Sequence, residues 1–152
     1  MENDEVLHKS LTSTILKSAF LVSNTLGAGF LESVYQHALE IALTEAGIAF
    51  RAQAPIEVSF HGLVVGRFYA DIVIEGSVIV ELKACRRLVP EHRSQVLNYL
   101  CASQIPVGLL FNFGNPRLEY ARLVRSSLQQ NSQTKEAADN TEESPIDIDQ
   151  RM

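Results

Sequence analysis

Asp71, Glu81 and Lys83 fall close together in the middle of the chain, on two segments that read as strands, Arg67 to Glu75 and Ser77 to Ala84. Side chains alternate along a strand, so Glu81 and Lys83 share one face while Val80, Leu82 and Ala84 share the other. By the same alternation Asp71 is expected to lie opposite the apolar set Ala70, Ile72 and Ile74. The run V-I-V-E-L-K-A is apolar enough for a central strand, where a carboxylate and an ammonium are costly without partners. An Asp, a Glu and a Lys on neighbouring strands make a divalent-metal site with a cationic helper, an arrangement suited to phosphodiester hydrolysis. The plainer alternative is a cross-strand salt bridge between Lys83 and an acid, because such pairs are common in sheets.

The elements that must position these residues follow from periodicity. Leu11, Ile15, Ala19, Val22 and Leu26 recur at helical spacing and predict a helix from His8 to Leu26, ended by Gly27-Ala28-Gly29. A second amphipathic helix is expected over Leu31 to Ala46, with Val34, Ala38, Ile41 and Ala42 inside and Gly47 as its stop. The period then changes to two. Ile48 to Gln53, Ile56 to Phe60, Leu63 to Glu75 and Ser77 to Ala84 read as four strands, with His61-Gly62 and Gly76 at tight turns. After Pro90 the helical period returns over Glu91 to Ala102. Pro106 to Phe113 reads as a short buried strand, and the helix before it favours parallel pairing with an earlier strand. Leu118 to Val124 fits either a last strand or a short helix. The predicted fold class is α/β, a mixed central sheet flanked by helices around one core.

Composition narrows the function classes. The 152 residues, 46% hydrophobic and 20% charged, suit one domain with a real core. No apolar run approaches the roughly 20 residues that span a membrane, and the start M-E-N-D-E lacks the basic residues of a secretory signal. With Cys85 and Cys101 the only cysteines, a reduced cytoplasmic setting is expected. Two thiols also fall short of the four that hold an iron–sulfur cluster, so any metal is expected to be a hard ion held by oxygen.

The formal charge of −5 is unevenly spread: residues from Ser127 onward carry −4, leaving −1 for residues 1–126. Lys83, Arg86, Arg87 and Arg93 gather as a basic rim that suits a nucleic-acid backbone, or else form a solvated loop edge. Residues 1–126 are therefore expected to form the domain and 127–152 an acidic tail, disordered from Asn131 on. That tail is read as a solubilising end, with a partner-docking segment or a brake over the basic rim as alternatives.

Three motifs stand in chain order. Gly29, Glu32 and Tyr35 have the form G-x-x-E-x-x-Y; Asp71, Glu81 and Lys83 the form D-x9-E-x-K; Gln95 and Tyr99 the form Q-x-x-x-Y. Together they resemble the small bacterial "GxxExxY" proteins within the PD-(D/E)XK nuclease-like superfamily, over about Leu11 to Val124. The resemblance implies a restriction-endonuclease-like core in which Asp71 and Glu81 ligate Mg²⁺ or Mn²⁺, with the Leu82 carbonyl as a further ligand and Glu32 beside the metal, often through water. It also implies that Lys83 orients the attacking water or neutralises developing charge, that Gln95 supports the site and that Tyr99 abuts it.

Bland readings stand beside these roles. Glu32 also suits a helix start, Tyr35 either bonds a site carboxylate or fills the core, Gln95 also fits the rim of a helix packing Val96 and Leu100, and His92 reads as a surface histidine. Ala70 replaces the proline that gives the superfamily its name. The implied activity is metal-dependent hydrolysis of DNA phosphodiester bonds, with Arg86, Arg87 and Arg93 on the backbone and RNA open as a substrate. The alternative is a non-catalytic nucleic-acid-binding or protein-interaction module that keeps the fold. No recognition module is visible, so specificity is expected from nucleic-acid shape, a homodimer or a protein partner.

Overall fold

Apolar spacing builds two N-terminal helices, α1 (Glu2–Leu26) and α2 (Glu32–Glu45), in a computed structural model that describes residues 2–125. Helix α1 buries Ile15, Ala19 and Val22, as its spacing predicts. Helix α2 differs from expectation. Its buried residues are Tyr35, Leu39, Ala42 and Leu43, whereas Val34 and Ile41 are exposed, Ile41 by 61%. The helix is apolar around much of its circumference, so spacing alone does not choose the inner face. Tyr35 belongs on that face because its hydroxyl is satisfied there. It donates to the Gly27 carbonyl (2.6 Å) and accepts from the Phe30 N–H (3.2 Å). Its ring stacks on Phe113 with centroids 4.9 Å apart.

Five strands follow: β1 (Phe50–Phe60), β2 (Leu63–Ile74), β3 (Val78–Lys83), then helix α3 (Pro90–Ser103), β4 (Val107–Asn112) and β5 (Glu119–Val124). They form one sheet in the order β1-β2-β3-β4-β5, with β3 and β4 parallel and the other pairs antiparallel. The α3 crossover returns the chain beside β3 in the same direction, which is why that pair is parallel. Leu118 to Val124 resolves as strand. The two strands predicted on either side of Ala54 and Pro55 are one strand, β1. Proline does not break it because β1 is an edge strand, where a missing N–H costs little.

The sheet is covered on both faces. Residues Ile15, Ala19, Tyr35 and Leu39 of α1 and α2 pack on Ile72, Ile74, Val80, Leu82, Leu109 and Phe111. Val96, Tyr99 and Leu100 of α3 pack with Ile79, Leu110 and Ala121, and with Ile56 and Ala70. Ala70 therefore departs from the face predicted for it, and only Ile72 and Ile74 share theirs. The alternation changes phase where Gln53 and Asp71 stand opposite each other. That pair is missing from the ladder between Ala52↔Ile72 and Ala54↔Ala70, and Gln53 has φ +48°.

Strand β2 pairs with β3 only from Ile72 to Ile74, so the rest of the β1–β2 hairpin projects as a two-stranded arm. Phe60, Leu63, Val64, Val65, Phe68 and Tyr69 are exposed on it. Among the described residues no helix is long and apolar enough to cross a membrane. The tail expectations lie outside the described residues.

Candidate active site

The β2–β3 ladder stops at Ile72↔Val80, and continuing its register would set Asp71 against Glu81. At that point side chains replace the backbone pairing. The Asp71 N–H donates to Glu81 Oε1 at 2.9 Å, and the Leu82 N–H donates to Asp71 Oδ2 at 2.8 Å. Each carboxylate is thus fixed through one oxygen by a main-chain N–H of the opposite strand. The Lys83 carbonyl accepts from the Phe113 N–H on the β4 side. Backbone groups alternate between the two edges of a strand, so the Leu82 carbonyl faces the gap with Asp71.

Burial sets the electrostatics of this gap. Glu81 is only 4% exposed, and desolvation, reinforced by the Asp71 charge, pushes its carboxyl up to about 8. Lys83 pulls the other way. Glu32, the first residue of α2, is open to water, so its desolvation is partial. Its carboxyl is nevertheless raised, by that desolvation first and by Asp71, against the lowering effect of Lys83 and His92. Five charged or titratable groups from four elements thus act in one neighbourhood. Tyr99 is 8% exposed and its phenol accepts from Gln95 Nε2 at 3.2 Å. Burial first, then the charge of Glu81, raises its pKa, which sets Tyr99 near the carboxylates.

The predicted residues therefore divide. Asp71, Glu81, Leu82, Gln95 and Tyr99 come together, with Glu32 and Lys83 within their electrostatic reach. Arg86, Arg87 and Arg93 are exposed on the β3–α3 loop and α3. The one ion pair among the described residues is Arg67–Glu57 on the arm, so the cross-strand salt bridge to Lys83 does not form. Tyr35 serves the core and the Gly27–Phe30 turn. His92 is more than a surface histidine. Its Nδ1 accepts the Val89 N–H at 3.1 Å while its main-chain N–H donates to the Val89 carbonyl, closing the start of α3.

Between the arm and α3 runs a cleft of about 850 Å³ whose lining includes Val58, Phe68, Gln95, Asn98 and Tyr99. Among the described residues no three His, Cys, Asp or Glu side chains gather as a metal-holding group. What the gap offers is two carboxylates and a carbonyl. An all-oxygen set of this size suits Mg²⁺, which takes one or two carboxylates and keeps several waters.

Residues 9–123 match the PD-(D/E)XK nuclease superfamily. The chain belongs to that superfamily. Among solved structures it is similar to the crystal structure of SSO0001, with TM-score 0.50 and 20% identity over 60% of this chain and 48% of that one. The chain thus spans about half of that protein, and the likeness is one of fold. A second similar structure is an alkaline exonuclease (LHK-Exo) from Laribacter hongkongensis, with TM-score 0.49 and 15% identity over 78% of this chain and 70% of that one. No curated protein matches the chain.

Sequence reasoning passed over other polar residues that shape this site on the PD-(D/E)XK fold. Asn112 is fully buried at the end of β4. Its Oδ1 accepts from the Cys85 and Gly114 N–H groups, and its Nδ2 donates to the Cys85 carbonyl and to Glu119. Glu119 in turn accepts the Leu88 N–H. Together they clamp the loop that leads from Lys83 to α3. A lone Asn inside V-G-L-L-F-N-F was the available signal, since a buried amide must find partners. Gln36 bonds the Asp71 carbonyl and is itself bonded by Gln53. Nothing in the motif spacing marks either glutamine.

Proposed function

We propose that this chain is a metal-dependent nuclease hydrolysing DNA phosphodiester bonds at the gap between β2 and β3. The observation that carries the reading is the Asp71–Glu81 pair, half-buried and buried respectively, which takes over where the backbone ladder ends and has Lys83 beside it without an ion-pair partner among the described residues. Its G-x-x-E-x-x-Y residues, Gly29, Glu32 and Tyr35, further favour the GxxExxY group of the superfamily. Asp71, Glu81 and the Leu82 carbonyl would hold Mg²⁺ or Mn²⁺, with Glu32 reaching it through water. Bound there, the ion supplies the positive charge that polarises a phosphoryl oxygen and activates water.

The chain's own residues then have separable roles. Lys83 places a cation on the Glu81 side of the strand, where charge grows on the phosphate. Gln95, held by the Tyr99 hydroxyl, presents an amide from the second turn of α3. Arg86, Arg87 and Arg93 supply exposed cations for flanking phosphates. A second reading, a protein-interaction module on the same fold, is favoured by the exposed apolar arm.

The deciding experiment is a cleavage assay on linear and circular DNA, single- and double-stranded, and on RNA, with Mg²⁺ or Mn²⁺ and with chelator. Lys83→Ala is the control. Metal-dependent cutting lost in the variant supports the nuclease, and the circular substrates separate endonuclease from exonuclease action. Folded wild-type protein that cuts none of them favours the interaction module.

A further inference from the structure

Gln36 lies on α2 one turn beyond Glu32, so the two share a helical face. Its side chain makes two hydrogen bonds to the sheet. Nε2 donates to the main-chain carbonyl of Asp71 at 3.2 Å, and Oε1 accepts from Gln53 Nε2 at 3.2 Å. Asp71 is unusual within β2: its N–H goes to the Glu81 carboxylate and its carbonyl to Gln36, so both backbone groups bond side chains. The cause lies across the strand. Gln53 at φ +48° has left the strand conformation, and the pair it would form with Asp71 is absent from the ladder. The Asp71 carbonyl needs another donor, and the Gln36 amide provides it. One amide therefore joins the helix that carries Glu32 to the backbone of Asp71.

We infer that Gln36 is a positioning residue that holds Asp71, and through it the Asp71–Glu81 pair, in the geometry that binds a divalent cation, with Gln53 orienting the Gln36 amide. The inference rests on the ligand pair assigned under the proposed nuclease. A merely structural glutamine would alter stability and leave metal affinity alone.

The test is Mn²⁺ titration of the full chain by calorimetry, with amide hydrogen exchange as a second readout. Gln36→Ala is expected to stay folded and to bind Mn²⁺ about 10- to 100-fold more weakly, the usual cost of losing a group that orients a ligand. Faster exchange of the Asp71 and Leu82 amides should accompany it. Gln36→Glu sets an oxygen against the Asp71 carbonyl and should lose as much, while Gln53→Ala should lose less. Unchanged Mn²⁺ affinity in folded Gln36→Ala overturns the inference. Should that variant fail to fold, unchanged affinity in Gln53→Ala overturns it instead. Wild-type protein that binds no Mn²⁺ defeats the nuclease reading, and exchange at Asp71 and Leu82 then decides on Gln36: no change in the variant refutes its hold on Asp71.

Discussion

Glu81 holds its proton to about pH 8 because burial and Asp71 both disfavour its anion, against an ordinary value of 4.5. Between those values the folded chain binds a proton that the unfolded chain has lost. This stabilising contribution is full below about pH 4.5 and is lost as pH rises through about 8. Chelator-treated protein should therefore melt at progressively lower temperature from pH 5 to pH 8.5, and Glu81→Gln should flatten that slope. Identical slopes in the two proteins would show that the carboxyl does not titrate this way. Lys83→Ala is expected to cut the cleavage rate by about 10²- to 10³-fold, the usual loss for one charge-stabilising donor, with the melting temperature little changed. Asp71→Ala should abolish cleavage and metal binding together. An unaltered cleavage rate in either variant would remove these residues from the assignment.

At the scale of elements, strand β3 is held at its exit by a clamp. Gly114 lies against the loop after β3 so closely that a Cβ would sit 2.0 Å from the Cys85 carbonyl oxygen and 2.5 Å from its nitrogen. Backbone cannot yield as a side chain can. At Gly108 the added atom would meet a side chain rather than backbone, Val96 Cγ1 at 2.6 Å. Gly114→Ala should therefore destabilise more than Gly108→Ala, by upwards of about 1–3 kcal/mol, in urea unfolding. The reverse order would refute this account of the loop. Asn112→Ala leaves the half-buried Cys85 amide and carbonyl without their partner, which costs on the order of 1–3 kcal/mol. Cleavage should fall in that variant too, because the clamped loop leads directly from Lys83 to α3.

Charge is a property of the whole molecule, and here it is divided. Removing residues 127–152 takes the formal charge from −5 to −1. Nucleic-acid binding should then tighten at low salt and converge with the full chain at high salt, where exposed charges are screened. Equal affinities at low salt would rule out any electrostatic brake from the tail. The exposed Arg86, Arg87 and Arg93 should carry much of the salt dependence. Neutralising each one is expected to lower the slope of log affinity on log salt by about one. A slope unchanged in the triple alanine variant would return those arginines to the solvated-edge reading.

Local signals in the chain determined the order of elements, the mixed α/β sheet and the adjacency of Asp71 and Glu81. Periods of two and 3.6 and turn residues act over short distances. The Gln95–Tyr99 contact was legible for the same reason, four residues being one helical turn. Tertiary structure alone decided what depends on which neighbour is present. It turned α2 so that Tyr35 and Leu39 face inward rather than Val34 and Ile41. It joined two predicted strands across Pro55, because that strand lies at the sheet's edge. It shifted the alternation at Gln53 and Asp71 and so made Gln36 the partner of the Asp71 carbonyl. Hydrogen bonds between residues distant in sequence leave no periodic trace, so the groups that hold this site became visible only once the chain had folded around them.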